Sequence, residues 1–436
     1  MDATSARTAQ QQRSSGSWLR RPVVRGGLVA FALVHVACLI WLWPTIARGD
    51  ALGDLLLYRE WAVDAFRGEG VMGLRQDWGL PLLAWLPIGL SNLFGPDAYQ
   101  AVWFSLVTAL NLLATLVVLG NTRDAARPTA ALVWLGGILV LAPVSMLRIE
   151  GFTAPLVVMA LLWVSRFPFV SGLILAIATW VKVWPAVVIA AVIAARQGAG
   201  RILPAGILVT AGVTVVASLT GGLQHIMSFL VRQAERGLQI ESPLATLPMW
   251  RDVLDFSGYF TRYNSVLRTS EMGGPVPEFI AAWSTTALVA ATVIIAVLIF
   301  VQGQRGLAGR QLMLTGALAL VSSTFVLNKV GSPQFMLWLL PIVVVGLASR
   351  DAWWGRIAAL TLAASALTTL LFPLMYAGLE NSELLPVAVL TARNALLVVI
   401  LVVAVIRLVR FQRLEEQTAT EDSPAGAPEA AESSAM

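Results

Sequence analysis

Charge is what this sequence has least of. Only 13% of its 436 residues are Asp, Glu, Lys or Arg, and 57% are hydrophobic; a soluble domain carries ~25% charged residues. A soluble core has no room for apolar runs this long and numerous. The expected fold class is therefore all-α, a polytopic transmembrane helical bundle of about 11–12 membrane segments with helices in its loops. A single cysteine, Cys38, lies inside the first apolar run, which excludes an internal disulfide. No glycine-rich nucleotide loop is present, and no segment of ~20–50 residues repeats. The net charge of +5 is no nucleic-acid signal, because the arginines sit in short loops between apolar runs, where they set orientation. No cleavable signal peptide is expected: the first apolar run ends without a small-residue cleavage site, and many more follow.

Residues 1–27 are polar and basic, and 411–436 are acidic and rich in Pro, Ala and Ser. Both are expected to be disordered cytoplasmic tails flanking one membrane domain over 28–410. The first span covers 28–47 and holds His35, read as a buried, hydrogen-bonded histidine. An outer loop follows over 48–96. Its apolar part, 80–93, is short and broken by Pro81 and Pro87, so it is expected to lie in the interface or re-enter. Further spans fall near 98–120, 129–147, 152–166, 202–220, 279–301, 311–327, 335–348, 355–376 and 386–408. A second long outer loop, 221–278, has room for helices of its own.

Topology turns on residues 167–195. Read as one helix, this run would export Arg196, Arg201, Arg305, Arg310, Arg350 and Arg356 together with the basic C-terminal end. Two short helices meeting near Lys182-Val183-Trp184-Pro185 keep all of them inside, so the positive-inside rule favours a break at the proline. One kinked helix is the alternative. Half-length helices are tolerated where they line a polar cavity, and Lys182 would point into it.

With that topology the polar groups sort by face. Asp54 and Tyr58, Arg148 and Glu150, Lys182, the stretch from Arg236 to Ser242, and the stretch from Lys329 to Gln334 all fall on the outer side, in five separate loops. Arg393 lies ~10 Å into the last span, a depth that favours pairing or a phosphate role. One hollow with a carboxylate and several cations suits transfer from a lipid-phosphate-linked sugar. Its leaving phosphate needs cations and donors rather than an acid, and the acceptor hydroxyl needs one base. Attack from the opposite face inverts the anomeric carbon. No cofactor and no metal are expected, since one clear carboxylate makes no dedicated metal site.

Three segments carry a family resemblance: Asp54 with Tyr58 after the first span, Thr179-Trp180-Val181-Lys182-Val183-Trp184-Pro185, and Arg236-Gly237-Leu238-Gln239-Ile240-Glu241-Ser242. Over most of 28–410 the chain resembles the GT-C superfamily of integral-membrane glycosyltransferases. More narrowly, it is similar to bacterial polyprenyl-phosphate-mannose-dependent α-mannosyltransferases of the phosphatidylinositol-mannoside type. The resemblance implies Asp54 as catalytic base, a polyprenyl-phosphate sugar donor, a cell-envelope glycolipid or glycan acceptor, and a site on the outer face of a bacterial cytoplasmic membrane with both termini cytoplasmic. On this reading Tyr58 and Glu150 orient substrate; Lys182, Arg236 and Lys329 hold donor phosphate; and Gln239, Glu241 and Gln334 read hydroxyls. Arg148, Trp184, Ser242, Ser332 and Arg393 complete the expected site. Where family members carry a histidine pair after a Ser-Pro, this chain has Ser332-Pro333-Gln334, and arabinofuranose is an alternative sugar. A secondary transporter or lipid flippase would also suit charged groups and broken helices, and a non-catalytic envelope scaffold is a third reading. The absence of a repeat and the clustering at one face speak against transport.

Overall fold

A computed structural model describes residues 21–49, 53–120, 126–265, 267–305 and 309–411. Most of the two expected tails lies outside the described residues. The first helix, α1 (Pro22–Ala47), already begins at Pro22 rather than near residue 28. Proline suits that first position because its missing N–H would have no partner there anyway. His35 lies in α1 with Nδ1 3.0 Å from the Phe31 carbonyl, the bonded arrangement expected of it.

The loop after α1 folds into α2 (Asp54–Phe66) and α3 (Trp85–Ser91). The apolar stretch here, Leu82–Ser91, is too short to cross a bilayer, as its two prolines suggested. Helix α4 (Tyr99–Leu119) follows. The single span expected over 129–147 is in fact two pieces, α5 (Ala126–Val140) and α6 (Ala142–Leu147). Pro143 explains the division: its ring and absent N–H cannot continue the helix before it. Then comes α7 (Glu150–Trp163).

The run 167–195 is two helices, α8 (Pro168–Val181) and α9 (Pro185–Ala194). Lys182 between them is extended, at φ −152° and ψ 133°, and Pro185 opens α9. Gly198, beyond α9, lies so close to the start of α8 that an added Cβ would sit 2.7 Å from the Pro168 Cβ. The chain has come back to where it set out, so α8 and α9 form a re-entrant hairpin with Lys182 at its tip. The 14 residues of α8 rise only ~21 Å, against ~30 Å of hydrocarbon. Arg196 and Arg201 therefore stay at the end where the hairpin began, as the charge pattern required.

Helix α10 (Ala199–Leu219) leads to the second long loop. That loop holds α11 (Ser228–Ala234), α12 (Thr246–Val253) and a small antiparallel sheet of β1 (Leu238–Gln239), β2 (Phe260–Asn264) and β3 (Thr269–Gly273), in the order β1-β3-β2. Gln239 pairs with Glu271 in register. Helices were expected here; strands of two to five residues give no readable alternation. The chain closes with α13 (Pro275–Gln304), α14 (Gly309–Val326), α15 (Met336–Leu347), α16 (Trp353–Thr369), α17 (Tyr376–Glu380) and α18 (Leu384–Val409). After α16 the chain runs on irregularly to Leu374, with Phe372 outside helical geometry, as befits a residue before proline.

Among the described residues, six helices are long and apolar enough to cross a membrane: α1, α4, α10, α13, α16 with its extension, and α18. Only 17–44% of their apolar windows is buried. By contrast α15 is buried along residues 336–346, and α14 and α7 nearly throughout. The long helices form a ring toward lipid and the short ones fill its middle. A helix shorter than the hydrocarbon is costly at the lipid boundary, so burial inside the ring is where it fits.

Candidate active site

The site is organised around Arg148. The break between α6 and α7 leaves this residue extended, at φ −122° and ψ 159°. Its guanidinium reaches the first residue of α2, with Nη1 3.1 Å from Asp54 Oδ2. The cation is buried, with 5% of its side chain exposed, while the acid is 44% exposed. Gly53 makes the approach possible. It has φ +86°, and a Cβ there would fall 2.1 Å from Arg148 Nη2, so a side chain would take the guanidinium's place. One turn along α2, the Tyr58 hydroxyl stands 3.5 Å from Asp54 Oδ2, and its ring stacks on Trp103. The protein crowded around Asp54 disfavours its charge, but Arg148, Lys182 and Arg236 more than offset this and hold the carboxyl below its ordinary value. Burial, reinforced by Asp54 and Glu150, pushes the Tyr58 hydroxyl well up, so it stays neutral.

Lys182, at the hairpin tip, places Nζ 3.6 Å from Oε1 of Glu150, whose side chain is 1% exposed. Neither Glu150 oxygen has a hydrogen-bond partner. Trp184 is buried beside the tip. Its indole N–H donates to Thr153 Oγ1 at 3.0 Å, and its ring stacks on Trp338 with centroids 5.9 Å apart. Trp184 thus fastens the tip to α7 and α15.

A second polar tract lies beside the first. Glu241 interacts with Arg148, Tyr376 and Arg393. Burial pushes its carboxyl up to about 7, even though Arg393 and the Tyr376 hydroxyl favour the charged form. Arg393 is fully buried, and its Nη2 donates to the Glu241 carbonyl at 2.9 Å, which realises the pairing expected from its depth. The Arg148 guanidinium also lies 5.4 Å from the Phe372 ring centroid.

Several expected ligands hold loops together. Lys329 Nζ donates to the Ala234 carbonyl at 2.7 Å, and burial lowers its ammonium. Gln239 accepts from the Gly331 N–H at 3.1 Å and donates to Thr269 Oγ1 at 2.8 Å. Ser242 donates to the Asn328 carbonyl at 2.6 Å. Gly331 is pressed so close that a Cβ would meet Ser242 N at 2.2 Å. Ser332 precedes a short helical turn without capping it through its side chain. Buried Gln334 has an Oε1 with no hydrogen-bond partner.

The structure thus joins Asp54, Tyr58, Arg148, Glu150, Lys182 and Arg236 in one electrostatic cluster, with Glu241 and Arg393 adjoining. Sequence reasoning missed Phe372 and Tyr376, which looked like the end of a span, and Glu271, which stands within electrostatic reach of Lys329. Among the described residues, no group of three or more His, Cys, Asp or Glu side chains is placed to hold a metal ion.

An acid and several cations are thus drawn together in one cluster of a multi-pass helical bundle. A family model, glycosyltransferase family 87, matches residues 80–327, more than half of the chain. The chain belongs to this family and is a GT-C-like membrane glycosyltransferase. No curated protein and no solved structure matches it. The matched stretch contains Arg148, Glu150, Lys182 and the Arg236–Ser242 segment, whereas Asp54, Lys329 and Arg393 lie beyond its ends.

Proposed function

We propose that this enzyme transfers a sugar, mannose in the first instance, from a polyprenyl-phosphate donor to a cell-envelope glycolipid or glycan at the outer face of the cytoplasmic membrane, with inversion. The observation carrying this reading is the pairing of Asp54 with Arg148 within reach of Lys182 and Arg236. A carboxyl held below its ordinary value is ionised at neutral pH and free to accept a proton. Asp54 takes the proton of the acceptor hydroxyl. The oxygen attacks the anomeric carbon opposite the phosphate, and the bond to phosphate breaks with its electron pair leaving on the phosphate oxygen. Lys182 and Arg236 hold that departing charge. Arg148 aims the base, and Glu241 and Gln334 meet sugar or acceptor hydroxyls. Lys329, tied to a carbonyl, contributes by fixing the Arg236 segment. On this reading the leaving phosphate's charge is met by these cations.

The test is transfer from polyprenyl-phosphate [14C]mannose by the purified protein in lipid nanodiscs, with the anomeric configuration of the product read by NMR. Asp54→Asn is expected to lower transfer ~10²–10⁴-fold. Full activity in that variant removes the base assignment; transfer of arabinofuranose in place of mannose corrects the sugar; a retained configuration overturns the mechanism.

A further inference from the structure

Arg236 belongs to no regular element. It sits on the short link between α11, which ends at Ala234, and β1, which begins at Leu238, yet its charge acts on Asp54. Its Nε is buried without a hydrogen-bond partner. Where the guanidinium points is therefore left to the backbone that carries it.

That backbone is fastened on both sides. Before Arg236, the Ala234 carbonyl accepts from Lys329 Nζ at 2.7 Å. After it, the Gly237 N–H donates to Glu271 Oε1 at 3.1 Å. Neither bond belongs to the sheet ladder. Glu271 lies on β3 opposite Gln239 and is 1% exposed. A carboxylate so buried is costly unless it is paired and hydrogen-bonded. Its other oxygen accepts from Asn264 Nδ2 at 3.3 Å, and Lys329 lies within reach of its charge. Lys329 also feels Arg236. Two cations at this range repel, and the acid beside them offsets the repulsion. Gly237 admits the carboxylate: a Cβ there would fall 2.7 Å from Glu271 Oε2 and 2.8 Å from its Cδ.

We infer that Glu271 is a positioning residue, which holds the Gly237 amide while Lys329 holds the Ala234 carbonyl and so sets where Arg236 presents its guanidinium. This rests on the phosphate-holding role of Arg236 proposed above. Arginine meets a phosphate through a rigid fork of donors, so its orientation counts as much as its charge. A displacement of ~1 Å at such a group costs up to ~10²-fold in rate. Glu271 touches no substrate; its whole effect on transfer runs through Arg236.

The test is a double-mutant cycle, with transfer and Tm measured on the protein in lipid nanodiscs. Glu271→Leu is expected to lower kcat/KM ~10–100-fold, with the same split between kcat and KM as Arg236→Gln. Combined with Arg236→Gln, it is expected to lower kcat/KM no further than about twofold, while its effect on Tm persists. Gly237→Ala is a second variant that keeps every charge. Its methyl meets only the end of a side chain, so the fold survives while the carboxylate is pushed off the amide. It is expected to reproduce the Glu271→Leu loss with Arg236 present and to add nothing in Arg236→Gln. Should Glu271→Leu fail to fold, this pair decides alone. Losses that multiply in either double variant place the action of Glu271 elsewhere and overturn the inference. So does wild-type transfer in Gly237→Ala, which makes Glu271 a support of the fold only. Both results leave the role of Arg236 standing. Undiminished transfer in Arg236→Gln itself removes the phosphate role, and the inference with it.

Discussion

Arg148 and Asp54 divide the work at the residue scale. The cation is buried and cannot be hydrated, so it stays where Gly53 leaves room for it; the acid is exposed and can meet a substrate hydroxyl. Glu241 poses a different problem. Burial raises its carboxyl to about 7, so the unfolded chain gives up this proton first. The sign of the linkage follows: stability falls as pH rises from the ordinary carboxyl range to about 7, and then levels off. Glu241→Gln is expected to flatten that fall, seen as a smaller difference in Tm between about pH 5 and pH 8 in detergent. If wild type and variant change in parallel, Glu241 titrates as an ordinary carboxylate.

At the scale of elements, the hairpin of α8 and α9 carries a pair whose two members fail differently. Lys182→Met strands the buried Glu150 carboxylate and is expected to cost ~3–5 kcal/mol. The double variant Lys182→Met with Glu150→Leu is expected to recover most of the lost stability and none of the transfer. Recovery of both would make the pair purely structural. The loop after α14 makes the opposite demand. Gly331→Ala drives a methyl to 2.2 Å from Ser242 N and 2.4 Å from the Glu241 carbonyl carbon. Backbone cannot give as a side chain can, so a loss of ~1–3 kcal/mol with a matching fall in Tm is expected; an unshifted Tm would refute the close packing.

The hairpin was legible because arginine placement and Pro185 pointed to the same break. The division before Pro143 was not, since the run 129–147 continues through it without a charged residue. The three-stranded sheet left too little pattern to read. At the site, Asp54, Arg148 and Lys182 announced themselves as charges beside apolar runs. Phe372 and Tyr376 did not, because aromatic residues near a span end are common in any membrane protein. Their part depends on a turn that brings them to Arg148, and sequence spacing does not show it.

For the molecule as a whole, the ring of long helices around short buried ones sets up a direct test of orientation. Cys38 is the sole cysteine and is buried, so Cys38→Ala gives a clean background. Glu235 lies on the charged side and Arg356 at the opposite end, and both are exposed. A cysteine at Glu235 is expected to react with a membrane-impermeant maleimide in intact cells, and one at Arg356 only after permeabilisation. The reverse result would place the site on the cytoplasmic side.

The re-entrant hairpin has one more consequence. Its tip ends ~9 Å short of a full crossing by helix rise, which puts Lys182 within the depth of a bilayer rather than at its surface. For the lipid-linked donor proposed above, the consequence is that its head would not have to be hauled up into water to react: it would descend to Lys182 while its chain kept to the oil.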